Sequence, residues 1–197
     1  MNISQRKITF YTPYKIYSGF IDIANGSLRT IDIFNSSNLY WKDPTERSFN
    51  DALLLNNATI ILEGNTKLGD FGKLQVKLSD VLFFHDSLEN MGDSMEQKRA
   101  ANLKLKTKED TSQVHIITHT RGGAFFYITG MFYGLFKSKS NHRFIPVTQA
   151  NVVEVIRSNE KWQKQTIPIE GGFVGISTQH IEACTFSDTT MRSKVVE

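Results

Sequence analysis

The sequence predicts a mainly β protein: two tandem small barrel-like units, related by internal duplication and joined by a partly helical linker. Three observations carry this. Runs of alternating apolar and polar residues, rich in β-branched and aromatic types, fill both ends of the chain. The stretch from Asp86 to Asp110 breaks the pattern, with no aromatic and no β-branched residue except Thr107. A phrase also recurs: "FNDALLLNNATIILEG" at 49–64 and "FIPVTQANVVEVIR" at 144–157 each place an aromatic before an apolar run, then a polar pair, an alanine and a second β-branched run.

The first unit spans residues 1–85. "KITFYTPYKIYSGFIDI" holds two strand-like runs parted by Thr12-Pro13. A long insert follows, containing "NLYWKDPTER", before the strand-like "LLLNNATII" and "GKLQVKLSDV". Residues 86–112 form the charged linker, in which Ser94-x-x-Gln97 has capping-box spacing and helix formers continue to Lys106. The second unit spans 113–186. In "QVHIITHTRGGAFFYITGMFY", Gly122-Gly123 between two apolar runs signals a tight hairpin, because such turns need positive φ. Strand alternation puts Val114, Ile116 and Thr118 on one face and His115, Ile117 and His119 on the other. Residues 187–197 form a polar tail expected to fray.

Laid side by side, "YKIYSGFI" matches "FYITGMFY" with Gly19 over Gly130. "LLLNNATII" matches "IPVTQANVV" with Ala58 over Ala150, and "GKLQVKLSDV" matches "GFVGISTQHI" with Val81 over Ile181. The order is the same in both halves and only the loop lengths differ, as expected of a duplicated unit. A twisted sheet of this size protects its edges by curling into a small barrel.

These features resemble those of Sm-like and SH3-like small barrels. In Sm-like domains a glycine sits in a strongly bent second strand, the place held here by "YSGFI" and "ITGMF". The same stretches resemble a bacterial domain family of unknown function that combines a G-x-I-H strand with R-L-S-D-F-L-N and F-L-P-L-T-D-A segments. Arg29, Asp32 and Asn35 match the polar positions of the middle segment, and "FIPVTQA" matches the last. The resemblance covers most of residues 7–84 and 113–186 and brings no chemistry with it. The Sm-like RNA pocket would need Asp and Asn soon after the bent strand. Asp32 and Asn35 come too late in the first half, and the second offers Asn141 without an Asp.

Composition narrows the function classes. Hydrophobic residues at 40% and charged residues at 22% describe a globular chain. A net charge of +3 falls short of the basic stripe of a dedicated nucleic-acid binder. The single cysteine, Cys184, excludes an internal disulfide and suits a cytoplasmic location. The N-terminus shows no signal-peptide core, and no stretch approaches the roughly 20 apolar residues of a membrane span, so no membrane insertion is expected.

No catalytic, metal or cofactor set emerges. His115 and His119 share a strand face, but their Cα atoms stand about 13 Å apart, too far for one metal to take both easily. His180 and Cys184 have the same spacing, and Cys184 is expected to be a small buried hydrophobe. "RGGAFF" reads as a turn rather than an RNA-binding tract. The phosphate-loop, nucleophile-elbow and cyclic-dinucleotide (PilZ) patterns are missing.

Two loops remain. Tyr40 and Trp41 are candidate protein-binding anchors. "KSKSNHR", with Lys137, Lys139, His142 and Arg143, is the basic cluster that could meet phosphate or an acidic surface. The expected function is therefore a non-enzymatic binding or scaffold module acting through protein–protein contacts or self-association. Sm-like nucleic-acid binding through the basic loop is the alternative.

Overall fold

The computed structural model describes residues 4–23, 29–36, 51–62, 65–86, 111–119, 123–133 and 143–187. Among these residues eleven strands and one short α-helix follow one another. In chain order they are β1 (Ser4–Tyr11), β2 (Lys15–Ile23), α1 (Thr30–Asn35), β3 (Ala52–Leu62), β4 (Thr66–Lys77) and β5 (Phe83–Asp86), then β6 (Thr111–Thr118), β7 (Ala124–Tyr133), β8 (Phe144–Ser158), β9 (Lys161–Ile167), β10 (Val174–Ser177) and β11 (Ile181–Ser187). Single 3₁₀ turns at Leu78–Asp80 and Thr178–His180 precede β5 and β11.

Among the described residues the strands join into one antiparallel sheet in the order β11-β6-β7-β8-β10-β5-β1-β2-β3-β4, with β9 also paired to β8. The mainly β reading holds. The path is open, however, and closed, separate barrels are not what the pairing shows. The outer edge of β5, which would have to turn back within its own half, is taken by β10 through Gly175↔Phe84 and Ile176↔Phe83. The expected helix at 94–106 lies outside the described residues.

The two halves repeat each other in register. The β2–β3 pairing shifts at Gly19, between Ser18↔Thr59 and Phe20↔Asn56. The β7–β8 pairing shifts at Gly130, between Thr129↔Asn151 and Met131↔Thr148. Across each shift stands a residue in left-handed conformation, Asn57 (φ 48°) and Gln149 (φ 49°). A Cβ on Gly19 would lie 3.0 Å from the Asn56 carbonyl oxygen, and one on Gly130 would lie 2.7 Å from that of Thr148. Glycine at both sites lets two backbones touch where the strand bends. The 3₁₀ turns are anchored alike, Leu78 N–H donating to Asp51 O and Thr178 N–H to Arg143 O, each at 2.9 Å.

Two cores lie against the sheet. One gathers Ile8, Phe10, Ile21, Leu55, Val81 and Phe84 with Phe144 from β8. The other gathers Val114, Ile116, Ile128, Val147 and Ile176 with Tyr11, Leu82 and Phe83 from the first half. Strand alternation explains the exchange. Neighbours Phe10/Tyr11, Phe83/Phe84 and Phe144/Ile145 each send one side chain to each core, so the strands around the joint are buried on both faces.

α1 is too short to be stable alone and depends on packing. Ile31, Ile33 and Phe34 are buried, and Phe34 meets Phe84 edge-on at 4.7 Å. Beneath it Arg6 donates to Thr30 Oγ1 at 2.8 Å, Thr30 Oγ1 donates to Asp86, and the guanidinium lies 4.0 Å from that carboxylate.

Other expectations meet the structure as follows. Val114, Ile116 and Thr118 are buried while Ile117 and His119 are exposed, as alternation requires. The turn expected at Gly122-Gly123 falls in part outside the described residues; Gly123, which is described, adopts φ 83°. Cys184, expected to be buried, is exposed, because β11 is the last strand of the sheet and its outer side meets no described strand.

Candidate functional site

Side chains from both halves converge at the joint between them. β10 adds to the free edge of β5, and Ser177 N–H donates to Leu82 O at 2.9 Å. Gly175 stands opposite Phe84; a Cβ at Gly175 would lie 2.2 Å from the Phe84 ring. Glycine thus leaves the space that the ring occupies. Asn35, on α1, binds the first residue of β8 as another strand would. Its amide nitrogen donates to Phe144 O at 2.9 Å, and its amide oxygen accepts from Phe144 N–H at 2.8 Å. Arg143 and Asp51, which hold the same place in the two repeats, form an ion pair across the joint.

The two 3₁₀ turns meet at one end of this joint. Ser79, Asp80, Gln179 and His180, with His119, line an open depression there. The Ser79 carbonyl accepts from Gln179 Nε2 and, at 2.7 Å, from His180 Nε2. That bond places the His180 proton on Nε2 and leaves Nδ1 as the lone-pair nitrogen in the neutral ring. Among the described residues, Ser79 Oγ and His180 Nδ1 are buried without a hydrogen-bond partner. A serine–histidine pair places the hydroxyl on a histidine nitrogen; here His180 Nε2 is on the serine's own carbonyl. His119, on the rim of the depression, lies 3.8 Å from Glu182.

Burial shifts several groups near the joint. The Tyr11 hydroxyl is pushed up to about 12, mainly by burial and secondarily by the negative charge of Glu154. Tyr17 is raised by burial and by the nearby Asp80 carboxylate. Tyr127 is raised by burial; its hydroxyl lies 2.7 Å from His115 Nδ1. His85 is lowered chiefly by burial, with Glu170 and Asp86 opposing and Lys7 adding to the effect.

Of the residues singled out in the sequence, Tyr40, Trp41, Lys137, Lys139 and His142 lie outside the described residues. Arg143 is described, and its guanidinium is engaged by Asp51. His115 and His119 have separate partners, Tyr127 and Glu182. The structure adds Ser79, Gln179 and His180, which no spacing in the sequence brings together. The only hint was the 100-residue offset that puts Val81 over Ile181 and hence one turn over the other. Apolar side chains are exposed on three strands that have a described strand on one side only: Leu68 and Phe71 on β4, Trp162 on β9 and Phe186 on β11.

Comparisons with family models, with curated proteins and with solved structures find no match. No helix among the described residues is long and apolar enough to cross a membrane.

Proposed function

We propose that this chain is a non-enzymatic binding or scaffold module acting through protein–protein contacts, and that its halves descend from one duplicated small barrel-like unit. The repeated register of glycine-centred bends, left-handed residues and 3₁₀ turns supports the duplication. One observation carries the functional reading. The chain already joins two β units by adding a strand of one to an open edge of the other. Strand addition is a general mode of protein recognition, with backbone hydrogen bonds giving affinity and side chains giving choice. The strands at the two ends of the sheet also carry exposed Leu68, Phe71 and Phe186.

Nucleic-acid binding through the basic loop takes second place, since Arg143 is paired to Asp51. The single cysteine supports a reducing, cytoplasmic setting.

The test is affinity capture with the wild-type chain, a Tyr40→Ala/Trp41→Ala variant and an edge variant, Lys77→Glu. A protein partner, or a second copy, lost from either variant is expected. Equal capture by all three would remove both the loop anchors and the edge. Absorbance at 260 nm that disappears from the purified protein at high salt would put the nucleic-acid reading first.

A further inference from the structure

The joint is heterologous: the first unit contributes its last strand, β5, and the second its next-to-last, β10. Each unit has both strands, yet the chain uses only one of each internally. Residues 72–86 and 172–186 correspond at a constant offset, as Phe10↔Phe84 and Ile116↔Cys184 show in the ladders to β1 and β6. β10 therefore corresponds to the Leu74–Lys77 end of β4, and β11 corresponds to β5. These two remaining strands stand at the opposite ends of the sheet.

We propose that a second copy of this chain docks head-to-tail, its β4 adding to β11 in the register the internal joint already uses. This rests on the strand-addition reading above and names its partner. Transferring the two pairs of this register sets Gln75 opposite Cys184 and Val76 opposite Ala183 of the neighbouring copy; the bond from Ser177 N–H to Leu82 O, carried over in the same way, brings Lys77 beside Glu182.

The side chains fit. The internal joint pairs a glycine with a large ring at Gly175↔Phe84. The external joint pairs a longer side chain, Gln75, with the small Cys184, exchanging the sizes. Val76 and Ala183 are both apolar. Lys77 and Glu182 are exposed and of opposite charge, a favourable cross-strand pair. A second copy also covers the exposed edge of β11, which includes Cys184.

The experiment uses the full chain, with mass followed by light scattering and crosslinking by mild oxidation. In Gln75→Cys, the new thiol and Cys184 face each other only between copies. Directly opposed strand positions have Cα separations within disulfide range. An intermolecular ladder is expected from this variant and not from Leu68→Cys, seven residues away on the same strand. Lys77→Glu should weaken assembly about 5- to 10-fold, and Lys77→Glu/Glu182→Lys should restore it. Equal crosslinking by both cysteine variants would overturn the register. A wild-type chain that stays monomeric at high concentration would overturn the second copy as occupant. If that monomer still captured a different protein, and lost it in Lys77→Glu, strand addition would survive with another partner. If it captured none, the underlying reading would fail as well.

Discussion

Replacing Gly175 by alanine adds one methyl group at the tightest point of the internal joint. The added carbon would stand 2.2, 2.3 and 3.0 Å from three atoms of the Phe84 ring. Ordinary carbon–carbon contact begins near 3.5 Å, so the ring must retreat by roughly 1.3 Å. It has nowhere to go. Phe84 is fully buried and packs edge-on against Phe34 at 4.7 Å and Phe144 at 5.2 Å, with Phe10 and Phe173 within 6.3 Å. Overpacking of this kind costs about 3 kcal/mol, the upper end of its usual range. For a chain of this length that lowers Tm by about 6–12 °C. Phe84→Leu makes room at its own cost of about 1–2 kcal/mol from lost packing. In that background Gly175→Ala should cost less than about 1 kcal/mol. The assay is urea unfolding of wild type, both single variants and the double variant, read as a double-mutant cycle. A coupling of about 2 kcal/mol is expected between residues in such contact. Additivity within about 0.5 kcal/mol would refute the claim that Gly175 is required by the Phe84 ring.

Three further outcomes follow from the same structure. Gly130→Ala should destabilise more than Gly19→Ala in thermal melts, since its Cβ meets Val147 Cγ1 at 2.5 Å and Thr148 O at 2.7 Å, against a nearest contact of 3.0 Å at Gly19; equal costs would count against the tighter bend in the second half. Asn35→Ala should cost about 2 kcal/mol in urea unfolding, because it strips two hydrogen bonds from the backbone of the buried Phe144; a change below about 0.5 kcal/mol would show that water replaces the amide. Tyr11 supplies a pH dependence. Its folded pKa is about 12, raised above the ordinary value of 10, so the unfolded chain loses its proton first. The stability this represents is complete below pH 10 and is lost as pH rises through the folded value. Tyr11→Phe should flatten the alkaline decline in Tm, and an unchanged decline would assign it to other groups.

Much of the strand content was legible because alternation is a local signal. The bend glycines were legible too. Gly19 and Gly130 hold equivalent places because only a residue without a Cβ lets the second strand touch the backbone of the third. The match of Val81 to Ile181 set the two closing stretches side by side but read each as one strand; in the structure a 3₁₀ turn interrupts each, at Leu78–Asp80 and Thr178–His180. α1 was missed because its six residues carry little helix signal of their own. It exists through Phe34 packing on Phe84 and Thr30 bonding to Asp86, partners far away in the chain. Cys184 was misplaced because a β-rich apolar stretch looks alike on an inner and an outer strand. Its exposure depends on what lies beside β11.

The amino-acid sequence by itself determined most of the strands, their order and the correspondence between the halves, since propensity, alternation and glycine placement act over a few residues. Only the tertiary structure decided that the halves share a sheet. Phe83 and Phe84 read as two apolar neighbours in one strand; that they serve different cores depends on β10 occupying the next position in the ladder. Edge pairing is made by backbone groups that every residue carries, so the choice of neighbour leaves almost no trace in side-chain pattern until the chain has folded.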